Sequence, residues 1–284
     1  MCMKKIAWIT DSTAYITEDL KNNPDVYVVP LAIIFWDDVF EDGISLTTEE
    51  LYKKINQSKT VPKTSQPAVG RFVELYEKLK GEYEHAIAVH ISSKLSGTLD
   101  SSMSASNMAE FPVEFIDSKS MSYAITSLLK TGIALCEQGM DVKTIAQQLR
   151  EDADKGENYI LLGSLEQFYK GGRMSGTQYL LGNLLQIKPI IRINQNGEFE
   201  VFEKVRSEKK AIRRLLEMIQ LAHDKQPLRE VQIMHGNIEE KAVAFEKDIK
   251  SKFPDMNIVI GEISSTIAAH AGEGTLAVIW QNKS

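Results

Sequence analysis

Short apolar runs alternate along the chain with longer stretches in which apolar residues recur every three or four positions, the spacings of buried strands and amphipathic helices. Residues 5–10 read as an opening strand, and Asp11-Ser12-Thr13 offers caps for a short helix over 17–22. Residues 26–35 are strand-like but carry Pro30, whose missing N–H predicts an edge or a bend. A hairpin and a turn follow over 35–43, then a helix over 48–57 that Thr47 and Glu50 close with a capping box. A helix over 69–79 begins near Pro67, a strand covers 86–91, a helix 99–109 and a strand 113–116. Helices over 121–137, stopped at Gly139, and over 142–154, capped by Asp141, complete this half. Alternating strands and helices need crossover connections, so a mostly parallel sheet with helices on both faces is expected.

A new strand over 158–163 places a boundary near Gly156-Glu157. A short helix over 165–170 ends at Gly171-Gly172-Arg173, and the apolar segment 179–186 offers Leu180, Leu181, Leu184 and Leu185 as core or cavity wall. Residues 187–193, Asn196-Gly197 and 199–202 form the clearest hairpin signal in the chain. A helix over 207–223 capped by Ser207, a strand over 231–236, a helix over 238–250 and a strand over 257–261 follow. A stretch of small residues around His270 then leads into a last strand over 276–280. The expected fold is therefore α/β in two domains. Residues 1–157 form the first, with its parallel sheet, and residues 158–284 the smaller second, with its hairpin.

Composition narrows the function. With 284 residues and 43% hydrophobic content, the chain can bury a sizeable core. A net charge of -6 argues against a nucleic-acid partner, because non-specific binding to phosphates needs a basic field. The two cysteines, Cys2 and Cys136, suit a reducing compartment, and no segment has the length of a membrane span, so a cytoplasmic location is expected. Five histidines and two cysteines without ligand spacing give no support for a metal.

Ser92-Ser93-Lys94-Leu95-Ser96-Gly97-Thr98 joins a buried strand to a helix start. The free N–H groups of a helix's first turn favour an anion, Ser96 and Thr98 add hydroxyls, and Gly97 lets a ligand approach the backbone. The simpler alternative is that Ser96 or Thr98 only caps the helix. Pro62-Lys63-Thr64-Ser65-Gln66-Pro67 sets hydroxyls before a second helix, and both turns could converge on one oxygen-rich group. Asp11, Ser12 and Thr13 lie at a strand's carboxyl end, where ligand crevices form in α/β sheets, although a structural cap suits Asp11 better beside an anion. His270, among small residues, suits close approach to a ligand, and Arg173, followed by Ser175, would offer a guanidinium to a phosphate or an acidic partner. A serine hydrolase using Ser96 and His270, oriented by Asp11 or Asp117, is the alternative from another class. No Gly-x-Ser-x-Gly elbow surrounds Ser96.

Together, Thr10-Asp11-Ser12-Thr13-Ala14, Thr64-Ser65-Gln66-Pro67, the Ser92–Thr98 turn, Lys170-Gly171-Gly172-Arg173, Ile187-Lys188-Pro189 and His270-Ala271-Gly272-Glu273-Gly274 resemble the DegV family, over one unit spanning 4–282. The resemblance implies a non-catalytic carrier of bacterial phospholipid synthesis. Such a carrier holds a long-chain fatty acid such as palmitate, stearate or oleate, needs no cofactor, and presents the carboxylate to a separate fatty acid kinase catalytic subunit. Transient membrane contact would accompany that role. Carried over by motif, Thr64 and Ser96 would hydrogen-bond the carboxylate, with Ser65, Gly97, Thr98 and His270 close by, and Arg173 would face the kinase. Asp100 and Glu273 depart from the family's usual Gln and Pro and would bring two extra carboxylates near the site.

Overall fold

The computed structural model describes residues 6–173 and 188–282. The predicted segment 179–186 and Ser175 lie outside the described residues. Strands β1 (Ile6–Asp11), β2 (Val26–Val29), β6 (His85–His90) and β7 (Val113–Asp117) form a wholly parallel sheet in the order β2-β1-β6-β7. Its central strands are buried on both faces, and their alternate residues serve two cores. Ala7, Ile9, Ala86 and Ala88 pack beneath α3 (Val69–Lys80) and α4 (Thr98–Ala109), through Phe72, Tyr76, Ala105 and Ala109. Ile6, Trp8, Ile87 and Val89 turn to the other face, against α5 (Tyr123–Glu137) and α6 (Val142–Ala153).

Pro30 marks both an edge and a bend: β2 ends the four-stranded sheet, and the chain then enters β3 (Ala32–Phe35) of a different one. That three-stranded sheet, in the order β4-β3-β5, pairs β3 with β4 (Asp38–Glu41) and with β5 (Lys63–Ser65). Thr64 therefore sits on a short strand opposite Ile33, whereas the sequence suggested a loop before a helix. The helix α1 (Glu18–Lys21) starts at Thr17, so Asp11-Ser12-Thr13 does not cap it. The capping box of Thr47 and Glu50 is present at the start of α2 (Thr48–Ser58).

The second half builds a six-stranded mixed sheet in the order β10-β9-β8-β13-β11-β12. Its strands are β8 (Gly156–Leu161), β9 (Lys188–Ile193), β10 (Phe199–Val205), β11 (Glu230–His235), β12 (Asn257–Glu262) and β13 (Leu276–Gln281). One face, with Tyr159, Leu161, Val231, Ile233 and Val278, is covered by α8 (Glu208–Lys225) and α9 (Glu239–Lys252). The opposite face, with Ile160, Leu162, Met234, Ala277 and Ile279, shares a core with the first half. Two short helices, α7 (Leu165–Lys170) and α10 (Ser265–Ala271), lie beside one another at the edge of that shared region. Among the described residues no helix is long and apolar enough to cross a membrane.

Candidate functional site

A cavity with about 1020 Å³ of empty space, its mouth included, lies between the inner face of the six-stranded sheet and the carboxyl ends of the parallel strands. That is where α/β sheets place ligands. Leu31, Ile91, Leu95, Met121, Ile160, Leu162, Phe168, Phe199, Met234 and Ile279 supply apolar wall. Thr64, Ser65, Ser96, Gly97, Arg173 and His270 line the same cavity, so the two hydroxyl-bearing turns do converge.

Each polar group is held by its element. Pairing of β5 with β3 fixes Thr64, whose Oγ1 lies 2.7 Å from His270 Nε2. His270 sits in the last turn of α10, a helix capped by the Ser264 side chain, which accepts from the Ile267 N–H at 3.4 Å. Asp42 extends that cap from a distance in sequence: its buried carboxylate accepts from the N–H groups of Ser265 (3.0 Å) and Thr266 (3.2 Å) and from the Ser12 hydroxyl (2.8 Å). Burial raises the Asp42 pKa, and these donors only partly offset it. Burial, with the charge of Arg173 close by, lowers the His270 pKa to about 3, so the imidazole is neutral. Its Nδ1 has no hydrogen-bond partner among the described residues. A side chain on Gly171 would begin 2.1 Å from that nitrogen, so only glycine fits there.

Ser96 does not cap α4, which begins at Gly97 without a side-chain cap. Its Oγ instead lies 2.8 Å from Thr98 Oγ1. Thr98 is fully buried and does not line the cavity, so it supports Ser96 and is not itself placed to touch a ligand. Arg173 donates to the carbonyls of Gly171 (2.7 Å) and Leu95 (3.2 Å), and burial lowers its pKa. No carboxylate pairs with it among the described residues.

Asp11 is structural, as a cap would be, but it serves the sheet and not a helix. It accepts from Thr13 N and Oγ1, from Ile91 N, and lies 3.0 Å from His90 Nδ1. Burial alone would raise its pKa, but the His90 and Thr13 interactions outweigh it and hold the carboxyl low. His90 continues to Ser102 Oγ (2.9 Å) and thence to the Tyr76 hydroxyl (2.5 Å), a buried chain beneath α4. Thr13 lines the cavity, whereas Ser12 turns away to Asp42. Asp100 and Glu273 are exposed and do not line the cavity; Glu273 instead accepts from Asn237 at 2.6 Å and Asn56 at 3.4 Å.

Gln66 was visible in its motif but not singled out. It lines the cavity, its amide closes over Gly97, where a Cβ would begin 2.6 Å from Oε1, and its Nε2 reaches Ser101 Oγ at 3.3 Å. A triad is not assembled. Ser96 is bonded to Thr98 and His270 to Thr64, while Asp11 and Asp117 are engaged by His90 and by Ser93 and Lys119. Among the described residues no cluster of potential metal ligands exists.

The signature of the DegV family matches residues 5–283. This chain belongs to the DegV family. A DegV domain-containing protein of Listeria innocua is 33% identical over 284 residues, covering 99% of both chains. The fatty acid binding DegV family protein of Streptococcus agalactiae superposes with a TM-score of 0.91 at 31% identity, over 99% of this chain and 100% of its own. DegV of Bacillus subtilis, described as a fatty acid binding protein, does so at 0.89 and 31%, with the same coverage. The DegV fold thus accounts for the parallel sheet and the second sheet.

Proposed function

We propose that this DegV protein binds one long-chain fatty acid, with its carboxylate among Thr64, Ser96 and His270 and its tail between the two sheets. The observation that carries this reading is a cavity walled mainly by apolar side chains into which Thr64, Ser96, Arg173 and His270 converge. Burying a methylene contributes about 0.8 kcal/mol, so a sixteen-carbon chain gains on the order of 10 kcal/mol before the entropic cost of binding. Tail burial supplies affinity, and the mouth sets direction. A carboxylate leaving water needs replacement hydrogen bonds, which the Ser96 and Thr64 hydroxyls, the free N–H groups at the start of α4 and the neutral His270 offer. Arg173 supplies a charge of opposite sign. Solved relatives described as fatty-acid-binding share this fold at 31% identity.

In this reading the mouth is also the face offered to a fatty acid kinase, with Arg173 at its rim. Residues 1–157 supply the carboxylate contacts, apart from those of Arg173 and His270, and residues 158–284 cover the chain. Chemistry on the carboxylate would then fall to the partner. Lipid extraction and mass spectrometry of the purified protein should recover a saturated or monounsaturated acid near one equivalent. A protein purified from fatty-acid-fed cells that yields none, and that fails to take one up when it is added, would end the carrier reading.

A further inference from the structure

Along β8 the side chains facing the cavity are Ile160 and Asn158, preceded towards the strand's end by Leu162, one residue past it. Ala277 and Ile279 face it from the partner strand, with Ile279 opposite Asn158. At the rise of an extended strand, Asn158 lies about 14 Å beyond Leu162, a length spanned by roughly ten methylenes of an extended chain. An amide among apolar wall residues is costly unless its hydrogen bonds are made. Asn158 is 3% exposed, and its Nδ2 donates to Ser120 Oγ at 3.2 Å. Its Oδ1 is buried with no partner among the described residues. One end of the amide is anchored and the other is left for whatever fills the cavity.

We propose that Asn158 is a specificity residue for an acyl chain bearing a hydroxyl group in its distal half. The inference rests on the fatty acid reading and names a class of tail within it. A hydroxyl can donate to Oδ1, and it can accept from Nδ2 if the amide is turned over, so it complements either orientation. A plain methylene chain leaves the amide unmet in either orientation, whereas a keto group can only accept from Nδ2 with the amide turned over, so the oxo acid reports which way the amide sits. The unmet group is what discriminates, as at any site built to hydrogen-bond its ligand.

The test is competition binding to lipid-stripped protein, comparing stearic, 12-hydroxystearic and 12-oxostearic acids, on the wild type and on Asn158→Leu. The hydroxy acid is expected to bind the wild type about ten-fold more tightly than stearic acid. In Asn158→Leu the order reverses, with stearic acid bound at least as well as by the wild type, which also reports that the variant is folded. Equal affinities in the wild type, or a hydroxy preference that survives in Asn158→Leu, would overturn the assignment while leaving the carrier reading intact. Asn158→Ser, smaller and still polar, serves if the leucine variant does not fold; an undiminished hydroxy preference there counts against Asn158, and a weakened one supports it. Failure of all three acids to bind would overturn both proposals.

Discussion

A histidine buried against Thr64, with an arginine near it, is held neutral, and that has a consequence in acid. The His270 pKa falls from its ordinary 6.5 to about 3, so between those values the unfolded chain binds more protons than the folded one. Its neutral burial is therefore compatible with full stability above pH 6.5, and stability is lost as the pH falls from there toward 3. His270→Asn should flatten the acid limb of a denaturation profile across that window, while unchanged slopes would mean that the group titrates normally. Ser96 and Thr98 make a pair of different kind, one facing the cavity and the other buried behind it. Ser96→Ala should weaken fatty acid binding by about ten-fold or more, the worth of one hydrogen bond to a charged group, with the protein still folded. Thr98→Val should weaken it less, because it removes only the support; titration calorimetry of the two variants checks the order.

At the level of elements, α10 is the piece the site depends on, and its first turn is tied to the first half of the chain through Asp42. Asp42→Ala strands the N–H groups of Ser265 and Thr266 and the Ser12 hydroxyl in a buried setting. A loss of about 2–4 kcal/mol in urea denaturation is expected, with weaker lipid binding as His270 loses its seat, and Asp42→Asn should do less damage. Equal stability for all three proteins would show that the tether contributes nothing. Little of this was legible beforehand. Periodicity revealed the long helices and the buried strands, because their apolar spacing is a property of each segment alone. It missed α10, whose seven residues are small or polar apart from Ile267 and so carry no apolar stripe, and whose anchoring carboxylate lies 223 positions away from Ser265. Three residues are too few for β5 to show an alternation, and only pairing with β3 makes Thr64 a strand residue. Pro30 is the contrary case: a single residue without an N–H announced the passage from one sheet to another.

For the molecule as a whole, the cavity belongs to neither sheet alone. The carboxyl ends of the parallel strands supply hydroxyls and the turn of Ser96, and the six-stranded sheet supplies the apolar strip from Leu162 to Ile279. The motifs at residues 64, 96 and 270 were readable as a set, but which of their side chains face inward follows from packing between segments far apart in sequence. That is why Gln66 and Asn158 emerged only with the fold, and why it took the fold to place Thr98 behind Ser96 and Asp100 and Glu273 on the exposed surface. A ligand bridging both sheets also couples them. At a free concentration one hundred times its dissociation constant, it would add about 2.7 kcal/mol to the stability of the whole. The most direct measurement is a crystal structure of the protein with its co-purified or added fatty acid. The account predicts a carboxylate within hydrogen-bond distance of Thr64 Oγ1 and Ser96 Oγ, and a tail running past Ile160 between the sheets. A reversed chain, or an acyl group bound anywhere outside that cavity, would contradict it.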